Sequence, residues 1–244
     1  MPRSRAARAA LDTFVRLRSQ HPDAHCELDH RDPFTLIVAV VLSAQTTDVA
    51  VNAITPALFA RWADVAALAT ASVTEVEQTI NRIGMYRQKA KNIVGLAQRL
   101  LERHQGEVPR NLESLVALPG VGRKTANVVL GVAFGAPEGV VVDTHVLRLA
   151  QRLGWSRETT AERVEQDLMQ LFPEEHWDLL SHTLIFHGRR VCSARRPSCA
   201  ACSVNDVCPS AFHAESVGRK ARSPRGTAAR VPTNAPRRRP STKS

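Results

Sequence analysis

The 244-residue chain has no long hydrophobic run, because its longest strongly apolar stretch, FTLIVAVVL, covers only residues 34–42. A membrane-spanning helix needs about 20 such residues, so the sequence predicts no membrane span. A secretory signal is also missing, which favours a reducing cytoplasmic compartment. The first 20 residues are rich in arginine and poor in acid. This composition is compatible with a mitochondrial presequence, but we favour the interpretation as a basic amphipathic first helix in a bacterial protein.

Acidic residues are absent from residue 216 onward, where nine Lys and Arg residues occur. The whole chain has 33 basic and 23 acidic residues, so without these nine there remain 24 basic against 23 acidic residues. The rest of the chain is therefore nearly neutral, and a nucleic-acid site in it must be a local patch. We expect residues 213–244 to be a disordered basic tail. It either attracts phosphate without sequence preference or only improves solubility.

Strand patterns and Asn-Gly hairpin turns are also missing, whereas helical periodicity is common. In VTEVEQTINRIG, the apolar residues Val73, Val76, Ile80 and Ile83 recur on one helical face, and Gly84 suits a C-terminal stop. The pair Asp32-Pro33 is typical of a helix start. The sequence therefore predicts an all-α fold of about ten short helices.

A glycine-rich hairpin is predicted within residues 111–135, NLESLVALPGVGRKTANVVLGVAFG. Asn111 can cap a helix that runs to about residue 118, and Gly120 and Gly122 allow a tight turn. A second helix is predicted over residues 123–134, ended by Gly135. A helix N-terminus after such a turn presents backbone N–H groups that favour a phosphate. An ordinary helix–helix turn is the alternative.

Lys124 lies in the first turn of this second helix, where the helix dipole opposes a positive charge. A half-buried lysine there would favour the neutral amine, since burial and neighbouring Arg123 act in the same direction. A neutral amine is what Schiff-base chemistry at a sugar C1′ requires. An exposed surface lysine is the alternative.

Asp143 follows a short apolar run, VVV, and opens another helix. It is interpreted either as an N-cap or as a carboxylate that takes a proton or stabilises a positive centre. His145, two residues later, is equally compatible with a structural and a functional role.

Four of the five cysteines are concentrated in CSARRPSCAACSVNDVC, at Cys192, Cys199, Cys202 and Cys208. A reducing compartment disfavours disulfides. Structural zinc usually uses two short Cys-x2–4-Cys steps, and only one such step is present. Thiolates also hold iron–sulfur clusters at varied spacings, so zinc and a cluster both remain open. Cys26 is left over and is predicted to be a small core residue.

Together these residues resemble the endonuclease III family of helix-hairpin-helix DNA glycosylases, over about residues 5–210. LPGVGRKTANVV resembles the hairpin with the family's nucleophilic lysine, here Lys124, and VDTH resembles the segment with its catalytic aspartate, here Asp143. The C-x6-C-x2-C-x5-C spacing matches the family's [4Fe–4S] loop. LSAQTTD resembles the loop that probes the duplex, with the wedge at Gln45. IGMY departs from the family by placing Met85 where we expect leucine, which leaves an apolar wedge.

The resemblance implies two helical domains with the active-site cleft between them. They would be a six-helix barrel with the helix-hairpin-helix motif, residues 27–136, and an iron–sulfur domain, residues 1–26 plus 137–212. Lys124 and Asp143 would face each other across the cleft. The implied DNA-contacting residues are Leu118, Gly120, Gly122, Arg123, Gln45, Met85, Arg195 and Arg196.

The implied function is that of a bifunctional DNA glycosylase and abasic-site lyase of base excision repair. Such an enzyme removes oxidised or ring-saturated pyrimidines from duplex DNA through a lysine Schiff base. It then cleaves the strand 3′ to the abasic site by β-elimination. We expect a monomer that carries a [4Fe–4S] cluster and associates with the bacterial nucleoid.

Two rival functions remain open at this stage. A monofunctional adenine glycosylase of the same superfamily lacks the hairpin lysine and carries a glutamate before the probing loop, whereas residues 34–45 contain no acid. A non-catalytic DNA-binding or redox-sensing module would need neither Lys124 nor Asp143.

Overall fold

The computed structural model describes residues 4–217, and these residues form helices and no β-strand. The all-α prediction is therefore confirmed for the described part of the chain. In this part of the chain, twelve α-helices and three short 3-10 helices follow one another with short connections. The α-helices are α1 (Arg5–Gln20), α2 (Pro33–Leu42), α3 (Asp48–Asn52), α4 (Thr55–Arg61), α5 (Val65–Ala69), α6 (Val73–Ile80), α7 (Tyr86–His104), α8 (Leu112–Val116), α9 (Arg123–Phe134), α10 (Thr144–Arg152), α11 (Ala161–Leu171) and α12 (Trp177–Arg190). The 3-10 helices are Glu174–His176, Cys199–Ala201 and Ala214–Ser216.

Helix α2 is the central helix of the larger hydrophobic cluster. Asp32 caps it, accepting a hydrogen bond from the Thr35 backbone N–H at 2.7 Å, and Pro33 occupies the first helical position. These are the start signals that the sequence predicts. Every residue from 34 to 42 is buried, and α2 packs against α7 and α9. A helix that is apolar on all sides is stable only inside a core.

Most of the buried apolar side chains in residues 4–217 form two hydrophobic clusters. One is built from residues 28–130, around α2, α7 and α9. The other joins α1 to residues 140–204, around α10, α11 and α12. Both α2 and α12 contact α9, so α9 lies beside the boundary between the clusters. None of the described helices is both long and apolar enough to cross a bilayer.

Two helix ends differ from the sequence prediction. Helix α6 ends at Ile80 with Asn81 as its C-cap, so Gly84 is not the stop. The left-handed residue of this connection is Met85, with φ 56°. Helix α8 ends at Val116, two residues before the predicted end. A stop signal in sequence fixes a helix end only to within a turn, because packing decides where the chain leaves the helix.

The C-terminal boundary lies later than predicted. Ala214 is buried, and the 3-10 helix Ala214–Ser216 continues the structured region to Val217. The Val217 carbonyl accepts a hydrogen bond from Arg152 Nε at 3.0 Å. Residues 213–217, which the prediction assigned to the disordered tail, therefore belong to the described structure. Residues 218–244 lie outside the described residues.

Candidate active site and cysteine cavity

The predicted hairpin is formed by α8, a short turn and α9. Asn111 caps α8, because its Oδ1 accepts from the Ser114 backbone N–H at 2.8 Å. Gly120 has φ 77°, and a Cβ atom there would come within 2.8 Å of the Asn92 side-chain nitrogen. Gly120 therefore provides the backbone freedom that the turn needs. Gly122 has φ −95°, a backbone angle that other residues also adopt. The turn therefore does not need glycine at position 122 for its backbone conformation, although the sequence analysis gave it that role.

The N-terminus of α9 is open to an anion. Gly122 is its N-cap residue, and within the described residues no side chain caps the first turn. Gly122, Arg123 and Lys124 are all exposed. Unpaired N–H groups at the positive end of a helix dipole favour a phosphate.

The side chain of Leu118, one of the predicted DNA contacts, is not exposed. Its side chain is buried in the core around α2, and its carbonyl accepts from the Val121 backbone N–H at 3.1 Å. The buried side chain and the backbone bond hold the turn against the core, so a contact of Leu118 with DNA could involve only its backbone.

Arg123 is held by an ion pair that the sequence did not indicate. Its guanidinium donates from Nε to Glu165 Oε2 and from Nη2 to Oε1, both at 3.0 Å. Glu165 is 6% exposed and lies on α11, so this pair joins the two hydrophobic clusters. The carboxylate also raises the pKa of Arg123. The charge of Arg123 is thus partly compensated and is less available for DNA than predicted.

Lys124 and Asp143 line the same cavity, which has a volume of about 250 Å³. Helix α9 contributes Lys124, and the segment leading into α10 contributes Asp143. Of the two alternatives left open for Lys124, half-buried or exposed, the structure shows the exposed one, at the rim of the cavity. An exposed lysine is accessible to a nucleotide.

Asp143 is both the N-cap of α10 and part of the cavity wall. Its Oδ1 accepts from the backbone N–H groups of His145 at 2.7 Å and Val146 at 2.9 Å. Among the described residues, Oδ2 accepts no hydrogen bond. The two interpretations of Asp143 are therefore compatible, since one oxygen caps the helix and the other remains available.

His145 packs behind Asp143. Its Nδ1 lies 3.2 Å from Arg148 Nη2, and burial lowers its pKa. A neutral imidazole accepts from a guanidinium, whereas a protonated one repels it. These contacts give His145 a structural role, although it also lines a neighbouring groove.

The sequence did not indicate most of the opposite wall of the cavity. Cys26, His182 and Arg189 all line it, with Cys26 partly buried. Cys26 thus lies against the core, as predicted, and also borders the cavity. Arg189 ion-pairs with Asp48 at 3.1 Å and with Glu27, residues more than 140 positions away in the chain. No local pattern signals a pair at that separation.

Gln45 and Met85 form two exposed tips in left-handed backbone conformations, with φ 53° and 56°. Gln45 lines the cavity, and Met85 is 50% exposed. Non-glycine residues in this region are uncommon and tend to occur at functional sites. The structure therefore presents one polar and one apolar side chain, as a pair of wedges requires.

The four clustered cysteines line a second cavity, together with Arg152 and His187. Arg152 is 1% exposed and donates to Cys192 Sγ at 3.2 Å and to the carbonyls of Ser193 and Ala194. Within residues 4–217, no carboxylate pairs with this buried guanidinium. A buried cation needs an anionic partner, and a thiolate-ligated cluster supplies one.

The other groups around this cavity are consistent with that assignment. His187 Nε2 lies 3.5 Å from Cys202 Sγ, and burial lowers the pKa of His187 to about 4, so the imidazole is neutral. Burial raises the pKa of the Cys202 and Cys208 thiols, and a bound metal would reverse that shift. The residues present thus fit a soft, anionic metal–thiolate group.

No three His, Cys, Asp or Glu side chains in the described part of the chain converge closely enough to hold a single metal ion. A [4Fe–4S] cluster does not require such convergence, because each of its four cysteines binds a different iron.

Arg195 and Arg196 are exposed on the loop that carries the four cysteines. Arg190, at the end of α12 before this loop, pairs with Asp23 at 2.8 Å.

Comparisons with known proteins place the chain in a family. A family model described as HhH-GPD superfamily base excision DNA repair protein matches residues 38–174. Endonuclease III of Synechocystis is 50% identical over 83% of this chain and 92% of its own length. Endonuclease III of Escherichia coli K12 is 44% identical over 81% of this chain and 93% of its own length.

A solved structure of a trapped endonuclease III–DNA covalent intermediate gives the corresponding structural match. It has a TM-score of 0.79 and 45% identity, and the match covers 83% of this chain and 95% of that one. A non-covalent endonuclease III–DNA complex matches with a TM-score of 0.78 and 44% identity. With this sequence similarity, this fold, and Lys124 and Asp143 in one cavity, the chain belongs to the endonuclease III family of the HhH-GPD superfamily of base excision DNA repair proteins.

Proposed function

We propose that this protein is a bifunctional DNA glycosylase and abasic-site lyase that removes oxidised or ring-saturated pyrimidines from duplex DNA. The observation that carries the proposal is that Lys124 and Asp143 line one cavity of about 250 Å³. An amine and a carboxylate are the two groups that base excision with strand cleavage requires. In the proposal, an extruded nucleotide enters this cavity.

In the proposed reaction, the damaged nucleotide leaves the duplex and its sugar C1′ reaches Lys124. The neutral amine attacks C1′, the bond to the base breaks, and the base leaves with that electron pair and takes a proton. Asp143 Oδ2 accepts a proton from the amine and stabilises the positive charge on the sugar. The bond between C1′ and the ring oxygen O4′ then breaks, O4′ takes a proton, and the nitrogen lone pair forms a protonated Schiff base, which acidifies the C2′ proton. Its removal expels the 3′ phosphate and breaks the strand.

DNA binding in this proposal relies mainly on backbone groups and a few side chains. The free N–H groups at the start of α9, after Gly120 and Gly122, contact one phosphate. Gln45 and Met85 fill the space left by the extruded nucleotide. Arg195 and Arg196 add phosphate contacts, and Arg123 contributes less because Glu165 holds it.

We also propose the domain division at residues 27 and 136, on the basis of the two hydrophobic clusters. One cluster lies within residues 28–130, and the other combines α1 with residues 140–204. The cavity with Lys124 and Asp143 would then lie at the domain boundary, where ligand sites are common.

Cys192, Cys199, Cys202 and Cys208 would hold a [4Fe–4S] cluster, with Arg152 balancing part of its negative charge. When bound, the cluster supplies rigidity to the loop that carries Arg195 and Arg196. No step of the proposed reaction requires it.

One of the comparisons supports a lysine-based lyase. The solved relative with 45% identity is a trapped covalent intermediate with DNA and is described as an estranged-adenine complex. A covalent complex requires a protein nucleophile, and Lys124 is exposed at the expected position.

Borohydride trapping tests the proposal directly. Borohydride should reduce a Schiff base to a stable covalent complex on duplex DNA that carries thymine glycol or an abasic site. Lys124→Gln should abolish this complex while retaining binding. Lys91→Gln, which alters an exposed lysine on α7, should leave trapping unchanged. Full trapping by Lys124→Gln, or none by the unaltered protein, would contradict the proposal.

A further inference from the structure

Lys89 is a buried lysine that the proposed reaction does not use. It lies in α7 and is only 3% exposed. Its Nζ donates to the Thr46 hydroxyl at 2.6 Å. Within the described residues it forms no ion pair with a carboxylate. Lys89 is thus a buried ammonium whose observed partner is a neutral oxygen.

This arrangement is unfavourable for stability alone. Burial lowers the pKa of Lys89, because the low-dielectric interior disfavours its charge. Its position near the N-terminus of α7 adds to the cost, because the positive end of the helix dipole repels a cation. An apolar side chain of the same length would fill the space without these penalties. The charge therefore indicates a role other than packing.

The contacts of Lys89 connect the two exposed tips. Its backbone N–H donates to the Met85 carbonyl at 3.0 Å. Its ammonium group binds Thr46, the residue that follows Gln45. Gln45 and Met85 are 40 positions apart in the chain and both hold left-handed backbone conformations. The bond to Met85 is the backbone bond of the first turn of α7, so Lys89 stands one helical turn after one tip while its side chain bonds to the residue next to the other tip.

We infer that Lys89 is a positioning residue, which holds the Gln45 tip and the Met85 tip in fixed relation so that both enter the duplex together. The inference rests on the proposed function, since it needs the tips to act as wedges. A charge-assisted hydrogen bond suits this task, because it is shorter and stronger than one between neutral groups. The uncompensated positive charge beneath the tips also favours their approach to anionic DNA.

Two pairs of variants separate this role from simple packing. Lys89→Met keeps the length and apolar stem but removes the charge and the donor, and Lys91→Met is its matched control with the same change in net charge. Thr46→Val removes the acceptor but keeps the shape, and Thr46→Ser keeps the hydroxyl. Thr46→Val leaves Lys89 in place, so the test does not depend on Lys89→Met being folded.

The first readout compares two substrates under single-turnover conditions. One is a duplex with thymine glycol, from which both tips must help to extract the nucleotide. The other is an abasic site opposite a one-nucleotide gap, where no partner base has to be displaced. Lys89→Met and Thr46→Val should slow excision from the first by about tenfold. Both should cleave the second at nearly the unaltered rate, and the double variant should be no worse than the poorer single variant.

The second readout is the fluorescence of 2-aminopurine placed opposite an abasic analogue. Insertion of the tips should change this fluorescence with the unaltered protein, Lys91→Met and Thr46→Ser. The change should be much smaller with Lys89→Met and Thr46→Val.

Equal losses on both substrates, or a lower melting temperature with normal fluorescence and excision per folded molecule, would overturn the positioning role. Unchanged excision in both variants would overturn it as well. Failure of the proposed function has a different signature, because the unaltered protein would then cleave neither substrate.

Discussion

Asp143 shows how one residue serves two purposes when its carboxylate oxygens face different surroundings. Oδ1 binds two N–H groups at the start of α10, and Oδ2 is left for the cavity. An N-cap contributes about 1 kcal/mol to stability. The sequence posed these roles as alternatives, but the geometry allows both.

Replacing Asp143 with asparagine should separate its two roles. Asparagine caps a helix about as well as aspartate, so the melting temperature of Asp143→Asn should change little. Base excision should fall on the order of a hundredfold, because a neutral amide neither takes a proton nor balances a positive charge. Cleavage at a ready-made abasic site should suffer less, since no base has to leave.

Asp64→Asn is a suitable control for this experiment. Asp64 caps α5 in the same way, accepting from the Ala67 backbone N–H at 2.8 Å, and it does not line the cavity. That variant should retain full activity. If Asp143→Asn lost thermal stability but kept normal excision per folded molecule, Asp143 would be only a cap.

At the scale of elements, the segment from Cys192 to Cys208 depends on contacts outside itself. Its regular structure is limited to the short 3-10 helix Cys199–Ala201. Arg152 of α10 holds it through a thiol and several carbonyls, and Arg16 of α1 pairs with Asp206 at 2.5 Å. Such a loop needs either these anchors or a bound metal group to keep one conformation.

Iron analysis tests whether this loop holds a cluster. Purified protein should contain about four irons per chain and absorb broadly near about 400 nm. Cys199→Ser should lose most of the iron and weaken DNA binding, because the loop carrying Arg195 and Arg196 loses its anchor. Cys26→Ser should retain the iron, since Cys26 lies in the other cavity. Colourless protein with stoichiometric zinc would contradict the cluster assignment.

At the scale of the whole molecule, positive charge is unevenly distributed. The nine basic residues after residue 217 account for nearly all of the net charge of +10. Several arginines in the described part are compensated, including Arg123 by Glu165 and Arg190 by Asp23. Long-range attraction to DNA should therefore come mainly from the C-terminal tail.

Deleting residues 218–244 should reveal this attraction. The deletion should begin after Val217, because its carbonyl binds Arg152. The shortened protein should cleave saturating DNA at a nearly unchanged rate. Its affinity should be lower at low salt, and the slope of affinity between about 50 and 200 mM salt should be flatter. An unchanged slope would show that the tail takes no part in binding.

The sequence by itself determined the features that depend on nearby residues. The caps Asp32 and Asn111 and both ends of α9 agree with prediction, because these signals act within one helical turn. The resemblance that rested on LPGVGRKTANVV, VDTH and the cysteine spacing identified the family correctly. The motif residues Lys124 and Asp143 were also named without a structure, although their roles remain proposals.

Tertiary structure decided what each side chain touches. It exposed Lys124, buried Leu118, paired Arg123 with Glu165 and brought Arg189 to Glu27 and Asp48. It also placed the ammonium of Lys89 on Thr46, between the two tips. These contacts join residues 42 to 162 positions apart. Such partners are selected by how whole helices pack, and no local pattern in the sequence encodes that packing.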